Sequence, residues 1–286
     1  MIKTISVSGI DSITKTPYED IMREIQSIPQ YETHVLPELS VEGRPVYGFS
    51  LGDTSNKKTM YFQAQIHGGH EWRTTHWIRK FMEILVNPSD FPYPYTISYL
   101  KSKYNFYFIP CVNPDGYVNG RYLNANGVAV DANFDWNWDN YNGNFDKGAY
   151  PFSEPEARNV RDVVLSILPV SFVCCHTWGD GRGLKIRHPQ NRSIEVLLHD
   201  YYKSSTLHDI NNSGNEFVSR NSNASAYNWA GDITSRNNRK IVASVLETGS
   251  MDSDYVQSKL GINALFLKCL HVDNYLSSGE QRLDSR

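Results

Sequence analysis

Apolar positions along this chain follow two patterns, one typical of strands and one typical of helices. Segments with these two patterns alternate along the chain. Short apolar or alternating runs bounded by turn residues indicate strands, whereas apolar residues three or four positions apart indicate helices. The predicted strands cover residues 45–51, 60–66, 105–110, 170–175 and 240–246. The predicted helices cover residues 17–28, 72–86, 153–168, 193–202 and 262–276. Because the two kinds of element alternate, we expect an α/β fold with a mostly parallel sheet and helices on both of its faces.

Polar segments separate several of the predicted strands and helices. The sequence Asn-Pro-Asp-Gly at residues 113–116 predicts a turn. Residues 119–144 are rich in Asn, Asp, Gly and Trp, and a loop this long in a compact domain is usually functional. Ser153 and Glu156 have the spacing of a helix capping box. Since no segment resembles a linker, we expect one domain over residues 1–286, with its core at about 47–276 and an N-terminal helix and strands within 1–46.

Composition and charge narrow the class of protein. The 286 residues are 40% hydrophobic and 21% charged, which is ordinary for a globular protein. A formal net charge of −3 argues against a nucleic-acid partner, which would require a concentrated basic face. No segment has the length of a membrane span or the apolar region of a signal peptide. We therefore expect no membrane partner and a cytoplasmic or virion-associated protein; oligomeric state is not indicated.

The four cysteines favour a reducing compartment. Cys174 and Cys175 are adjacent, and neighbouring cysteines rarely pair with each other. Cys111 and Cys269 each lie among apolar residues, which predicts buried thiols. The chain therefore lacks the cysteine pattern of a disulfide-stabilised secreted domain.

The candidate chemistry lies where predicted strands end. His67, His176 and Glu247 each follow an apolar run, and ligands of open α/β sheets bind beyond the carboxyl ends of the strands. A hydrolytic zinc site needs three neutral or anionic ligands and one open position for water. It also needs a base near that water and a cation where negative charge develops. With Glu71 and Arg121 added, the sequence supplies all of these groups and predicts a zinc peptidase.

Seven short motifs follow one another in a fixed order over residues 47–276. They are Ile-His…Glu-Trp, Val-Asn-Pro-Asp-Gly-Tyr, Arg…Gly-Val…Val-Asp-Ala-Asn, Pro-Phe-Ser-Glu-Pro-Glu, a strand ending in His, Tyr…Ala-Gly-Asp and Leu-Glu-Thr-Gly. A single motif is weak evidence, but the seven in this order resemble the M14 zinc carboxypeptidases. The resemblance implies a single-domain α/β/α sandwich with a mixed, mostly parallel twisted sheet. It also implies one Zn²⁺ ion per chain and hydrolysis of an amide bond in a peptide or peptide-like substrate.

The resemblance also implies which residues bind the metal. The implied zinc ligands are His67, Glu71 and His176. Asp131 would accept the other ring N–H of His67 and so orient that ligand. The family spaces its first two ligands as His-x-x-Glu, whereas three residues separate His67 from Glu71 here. A Gly-Gly pair between them would let the loop absorb the extra residue. His70 is the alternative first ligand, and we favour His67 because it directly follows the predicted strand.

Four further residues receive roles from the resemblance. These are Glu247 as the catalytic base, Arg121 as the residue that faces the oxyanion, Tyr227 as a mobile active-site tyrosine and Asn133 as a contact of the substrate's terminal carboxylate. In the family's carboxypeptidases an arginine follows this asparagine and pairs with that carboxylate, whereas Phe134 and Asp135 follow Asn133 here. An arginine from another segment could replace it, and the candidates are Arg182, Arg187 and Arg192.

Three functions are consistent with these observations. The first is a zinc peptidase that resembles the bacterial and phage branch of the family, with peptidoglycan stem peptides as a reasonable substrate. The second is a zinc-dependent N-acyl amino acid deacylase that cleaves small amides. The third is a non-catalytic protein that binds a peptide or cell-wall ligand on the same fold. We favour the peptidase because candidates for every ligand and for the base are present.

Overall fold

The computed structural model describes residues 14–52, 58–178, 184–187, 225–236, 238–249 and 254–277. Its strands are β1 (Glu32–Val35), β2 (Tyr47–Leu51), β3 (Thr59–Ala64), β4 (Asn105–Ile109), β5 (Ser171–Trp178), β6 (Leu184–Arg187) and β7 (Val242–Gly249). Its α-helices are α1 (Tyr18–Gln26), α2 (Arg73–Val86), α3 (Pro94–Lys103), α4 (Pro114–Asn119), α5 (Pro155–Ile167), α6 (Ala226–Asp232) and α7 (Asp254–Ser277). Four 3₁₀ turns join them, at Gly69–Trp72, Pro88–Asp90, Val130–Asn133 and Trp138–Asn140.

The seven described strands form one mixed sheet in the order β1-β2-β4-β3-β5-β7-β6. The four central strands, β4, β3, β5 and β7, run parallel to one another. The strands at both edges pair antiparallel. The predicted α/β class and mixed sheet are confirmed, and the parallel arrangement holds for the centre of the sheet.

Two apolar cores cover the two faces of this sheet. Side chains alternate between the faces along a strand, so Val173 and Cys175 of β5 enter one core while Phe172 and Cys174 enter the other. Helices α1, α2, α3 and α7 contribute to the first core, and α5 and α6 contribute to the second. Burial on both faces explains why the central strands read as continuous apolar runs in the sequence.

Several element boundaries differ from the prediction. Strands β5 and β7 continue to Trp178 and Gly249, so His176 and Glu247 lie inside their strands rather than just after them. The predicted turn at residues 113–116 begins helix α4, whose first turn is capped by a 2.8 Å hydrogen bond from the Gly116 N–H to Asn113 Oδ1. The residues that favour turns also favour helix caps, so the sequence pattern did not separate the two.

The predicted capping box is absent from the start of α5. The cap residue is Glu154, followed by Pro155 at the first helical position, and no side chain caps the helix. The hydroxyl of Ser153 instead donates to Glu154 Oε1 at 2.8 Å. The predicted helix at residues 193–202 lies outside the described residues.

The state of the cysteines and the length and apolar character of the described helices bear on two further predictions. All four cysteines are buried with free thiols, which confirms the expectation for Cys111 and Cys269. None of the described helices has both the length and the apolar character needed to cross a membrane. The single-domain assignment stays a prediction.

Candidate active site

The loop between β3 and α2 carries the first two candidate ligands. His67 lies three residues beyond the end of β3, and Glu71 lies in the 3₁₀ turn that leads into α2. The Gly68 N–H donates to the Tyr122 carbonyl at 3.0 Å. A Cβ atom on Gly68 would collide with the backbone of Gly116 and Arg121, so glycine is the residue that fits this close approach. The Gly-Gly pair therefore allows the loop to pass close to the backbone of α4 and of the residues that follow it.

The third candidate ligand and the candidate base lie on neighbouring strands. His176 on β5 is directly opposite Glu247 on β7 in the parallel register of these strands. His176 is buried, whereas Glu247 is only partly buried. Because directly opposite residues of paired strands point to the same face of the sheet, the two side chains lie side by side near the carboxyl ends of the central strands.

The ligand atoms of His67, Glu71 and His176 lie within 4.8 Å of one another, and all three residues are buried. The His176 Nδ1 atom lies 3.5 Å from Glu71 Oε2, at the outer limit of a hydrogen bond. Two imidazoles and a carboxylate are a frequent ligand set of catalytic zinc. The grouping fits a divalent cation.

The electrostatics of Glu71 support this fit. The pKa of Glu71 is raised to about 7, mainly because the carboxyl group is buried; the neighbouring His176 opposes this shift and the Glu247 carboxylate adds to it. A carboxylate buried in this way is unfavourable when charged unless a positive charge accompanies it. A cation at the three ligand atoms would provide that charge.

An aromatic stack supports the first histidine. The rings of His67 and Tyr122 are stacked with their centroids 4.2 Å apart and an angle of 12° between the planes. Phe145 packs against Tyr122, with the centroids of the two rings 4.8 Å apart. The stack restricts the orientation of the imidazole. Sequence reasoning did not identify Tyr122, although it directly follows Arg121 in a motif, because the chain contains 18 tyrosines.

These side chains open onto a cleft with a volume of about 290 Å³. The predicted site residues among the described lining are His67, Asp131, His176, Tyr227 and Glu247. The lining also includes residues that the sequence did not single out, among them Tyr122, Ser225, Tyr141, Asn144 and Phe145. Five residues separated by up to 180 positions in sequence therefore reach the same cleft, as the predicted convergence at the strand ends requires.

Asp131 connects the loop after α4 to helix α6. Its Oδ1 atom accepts a 3.0 Å hydrogen bond from the N–H of Ala226, the first residue of α6. Tyr227, the next residue of α6, is buried and lines the cleft. Asp131 thus holds the helix that presents Tyr227. That Asp131 also orients His67 stays a prediction.

Asn133 is held by groups of the protein itself, and its contact with a substrate carboxylate stays a prediction that this geometry does not favour. Its side chain is fully buried and does not belong to the described cleft lining. Its amide nitrogen donates to the carbonyls of Lys147 and Tyr150 and to the Ser153 hydroxyl at 2.8, 3.1 and 2.9 Å. Its Oδ1 atom accepts the Glu154 N–H at 3.0 Å. Because both N–H groups of the amide point to these acceptors, Asn133 fastens the loop before α5 and has no donor left for a substrate carboxylate.

Arg121 and His70, the alternative first ligand, are not among the described residues that line the cleft. The Arg121 side chain is exposed, and its charge helps to lower the pKa of Glu42, after the larger effects of Arg44 and Asn119. Arg121 is not among the described residues that line the cleft, so its role at the oxyanion stays a prediction. The side chain of His70 lies outside the described part of the chain, as do those of Arg182, Arg187 and Arg192. The preference for His67 rests on its place in the ligand group.

Comparison with known proteins agrees with the geometry. The sequence model of the M14 peptidases, described as zinc carboxypeptidase, matches residues 18–276. The chain therefore belongs to the zinc carboxypeptidase family. It is 29% identical to carboxypeptidase B of Astacus astacus over 149 residues. That match covers 44% of this chain and 47% of the relative, so it spans about half the length of this curated relative.

Solved structures show the same fold. A metallo-carboxypeptidase from Burkholderia cenocepacia superposes with a TM-score of 0.70 at 19% identity, covering 90% of this chain and 69% of the other. Carboxypeptidase A from Helicoverpa armigera superposes with a TM-score of 0.65 at 18% identity, covering 96% of this chain and 77% of the other. These likenesses show a carboxypeptidase fold. Family membership and the His67, Glu71 and His176 ligand group together give a site that fits one zinc ion.

Proposed function

We propose that this protein is a zinc metallopeptidase that hydrolyses an amide bond of a peptide, with His67, Glu71 and His176 as the zinc ligands. The observation that carries the proposal is the grouping of these three ligand atoms within 4.8 Å at a cleft that Glu247 also lines. Membership of the zinc carboxypeptidase family supports the same assignment.

The chemistry divides among the residues around the cleft. A zinc ion in this site supplies a bound water of lowered pKa and a Lewis acid for the scissile carbonyl. Glu247, next to His176 and partly exposed to the cleft, takes the proton of the attacking water and passes it to the leaving amine. Tyr227 lies in the same cleft, where its phenol can hydrogen-bond to the substrate.

Two predicted residues take supporting parts in this proposal. Asp131 lies in the same cleft as His67 and orients its ring. Arg121 stabilises the developing oxyanion after its exposed side chain rotates from the side of Glu42 toward the cleft. Its backbone already packs against Gly68, and its neighbour Tyr122 lines the cleft, so the rotation starts close to the site.

The lining of the cleft supports a proposal for the substrate class. Among the described lining residues there is no Lys or Arg, and Phe134 occupies the position after Asn133 where the family has its carboxylate-binding arginine. A substrate that does not depend on a guanidinium clamp for its terminal carboxylate suits this cleft. We therefore propose peptidoglycan stem peptides, whose linkages differ from those of ordinary polypeptides, as the substrate.

A panel of amides tests this function. Zinc-loaded protein is incubated with isolated stem peptides, with dipeptides that have a free C-terminus and with N-acyl amino acids, alongside the Glu247→Gln variant. We expect cleavage of stem peptides by the wild type and a loss of about 10²–10⁴-fold in kcat for the variant. Preferential cleavage of N-acyl amino acids would identify a deacylase instead, and absence of any cleavage by zinc-loaded protein would leave a binding protein.

A further inference from the structure

A chain of buried hydrogen-bonding side chains leads to His176 from the interior of the sheet. The Tyr61 hydroxyl donates to Gln63 Oε1 at 2.8 Å, and Gln63 Nε2 donates to Cys174 Sγ at 3.2 Å. The Cys174 sulfur lies 3.0 Å from His176 Nε2. Tyr61, Gln63 and Cys174 are fully buried and His176 is almost so.

Strand geometry explains this arrangement. Gln63 on β3 is directly opposite Cys174 on β5 in a parallel register. Cys174 and His176 are two residues apart on β5, so their side chains point to the same face of the sheet. Cys175, between them, points into the core on the other face. The chain is therefore built on the two most central strands, where side-chain positions are tightly fixed.

The order of the hydrogen bonds fixes the role of the sulfur. Because Gln63 Oε1 accepts the Tyr61 hydroxyl, the amide group of Gln63 turns its N–H toward Cys174. On the His176 ring, Nδ1 is the nitrogen on the side of Glu71, whereas Nε2 is the nitrogen beside the sulfur. A neutral imidazole that binds a metal through one nitrogen carries its proton on the other.

We propose that Cys174 is a positioning residue for the third zinc ligand. Its sulfur accepts the N–H of His176 Nε2, which holds the ring in the tautomer that leaves the Nδ1 lone pair available to the metal. Groups of this kind, which bind the second nitrogen of a ligating histidine, typically change metal affinity by 10- to 100-fold. Sulfur is a weak acceptor, so the effect of Cys174 belongs near tenfold. The inference rests on the proposed function because it takes His176 as a zinc ligand.

Zinc affinity of matched variants tests the proposal. Competition with a fluorescent chelator is measured for the wild type, Cys174→Ala, Cys174→Ser and Cys175→Ala. We expect Cys174→Ala to weaken zinc binding about tenfold and Cys174→Ser, whose hydroxyl can still accept the N–H, to recover most of that loss. Cys175→Ala, which removes an equally buried thiol from the opposite face, leaves the affinity at the wild-type value.

The ring nitrogens of His176 provide a second readout that a merely structural role would not move. Nitrogen-15 NMR of the zinc-free protein, recorded at a pH high enough to leave the His176 ring neutral, should show its proton on Nε2 in the wild type and a mixture of tautomers in Cys174→Ala. Should Cys174→Ala fail to fold, Cys174→Val, which fills the buried space but offers no acceptor, takes its place and should also weaken zinc binding.

The outcomes separate this inference from the function on which it rests. Wild-type affinity together with a wild-type tautomer in Cys174→Ala, or in Cys174→Val if that variant is needed, overturns the role of Cys174 and leaves the zinc site standing. A wild-type protein that binds no zinc overturns both.

Discussion

Asn133 illustrates how a residue from a catalytic motif can serve the fold. Its side chain makes four hydrogen bonds to the segment that precedes α5, and it lies fully buried. Its motif alone suggests a contact with the substrate, because the sequence does not reveal that the following loop folds back over this residue. The distinction can be measured, since a structural role and a binding role affect different quantities.

Replacing Asn133 with alanine should lower stability and leave substrate binding unchanged. The substitution leaves the Glu154 N–H and two carbonyls without their partner, at a cost on the order of 1–3 kcal/mol for a buried group. Urea unfolding measures this loss, and KM is determined on the folded fraction. Asn140→Ala, on the exposed surface of the same loop, serves as the control. A raised KM with unchanged stability would restore the substrate contact.

Glu156 should make stability depend on pH. Burial raises its pKa from 4.5 to about 7, against the hydrogen bond from Asn124 and with a small contribution from Asp115. Between these two pH values the folded protein holds a proton that the unfolded chain has lost. The stabilisation is therefore complete below about pH 4.5 and is lost as the pH rises through about 7.

The Glu156→Gln variant isolates this effect, because glutamine resembles the protonated acid at every pH. Urea unfolding of both proteins at pH 5 and pH 8 should show a larger fall in the free energy of unfolding for the wild type than for the variant. Equal falls for the two proteins would mean that Glu156 is ionised in the fold at pH 5 as in the unfolded chain.

Candidate residues could be proposed from sequence where a motif carries them, but not where packing creates a contact. His67, Glu71, His176 and Glu247 were proposed from short motifs, and the structure brings all four to one place, while their roles stay predictions. Tyr122 acts by stacking across a loop, and that contact has no signature in sequence. Cys174 was within reach, because a position two residues before a strand histidine always shares its face.

At the scale of elements, the loop between β3 and α2 sets the position of two ligands. Its Gly68 packs against the backbone of Gly116 and Arg121 with no room for a Cβ atom. The sequence indicated that glycines would absorb the extra residue between His67 and Glu71. It did not indicate which segment they would pack against, because that contact joins parts of the chain about 50 residues apart.

Gly68→Ala should weaken zinc binding as well as fold stability. The added methyl group forces the loop away from the Gly116–Arg121 backbone and moves His67 relative to the other ligands. A misplaced ligand should reduce zinc affinity by at least about tenfold, as loss of a supporting group around a ligand does. Chelator competition measures the affinity, and thermal unfolding measures the stability.

Gly43→Ala is a matched control for this substitution. Gly43 has a φ of +83° and open space around its Cα, so alanine there strains the backbone without a collision. It should lower stability and leave zinc affinity unchanged. Equal zinc affinity in Gly68→Ala and the wild type would show that the packing of this loop does not position His67.

For the whole molecule, the order of the sheet explains why the site forms. Strands β3, β5 and β7 are parallel neighbours, so their carboxyl ends present His67, His176 and Glu247 along one edge. Alternating apolar patterns were enough to predict this layered fold. Which strands of the mixed sheet run antiparallel was not predicted, since strand direction depends on pairing partners rather than on local sequence.

The central claim is that three residues hold one zinc ion and that Glu247 acts on the bound water without holding the metal. The most direct measurement is zinc content per chain, after reconstitution, of the wild type, His176→Ala and Glu247→Gln. We predict one zinc per chain in the wild type and in Glu247→Gln, and none in His176→Ala. A wild type without zinc, or a His176→Ala variant that keeps it, would contradict the account.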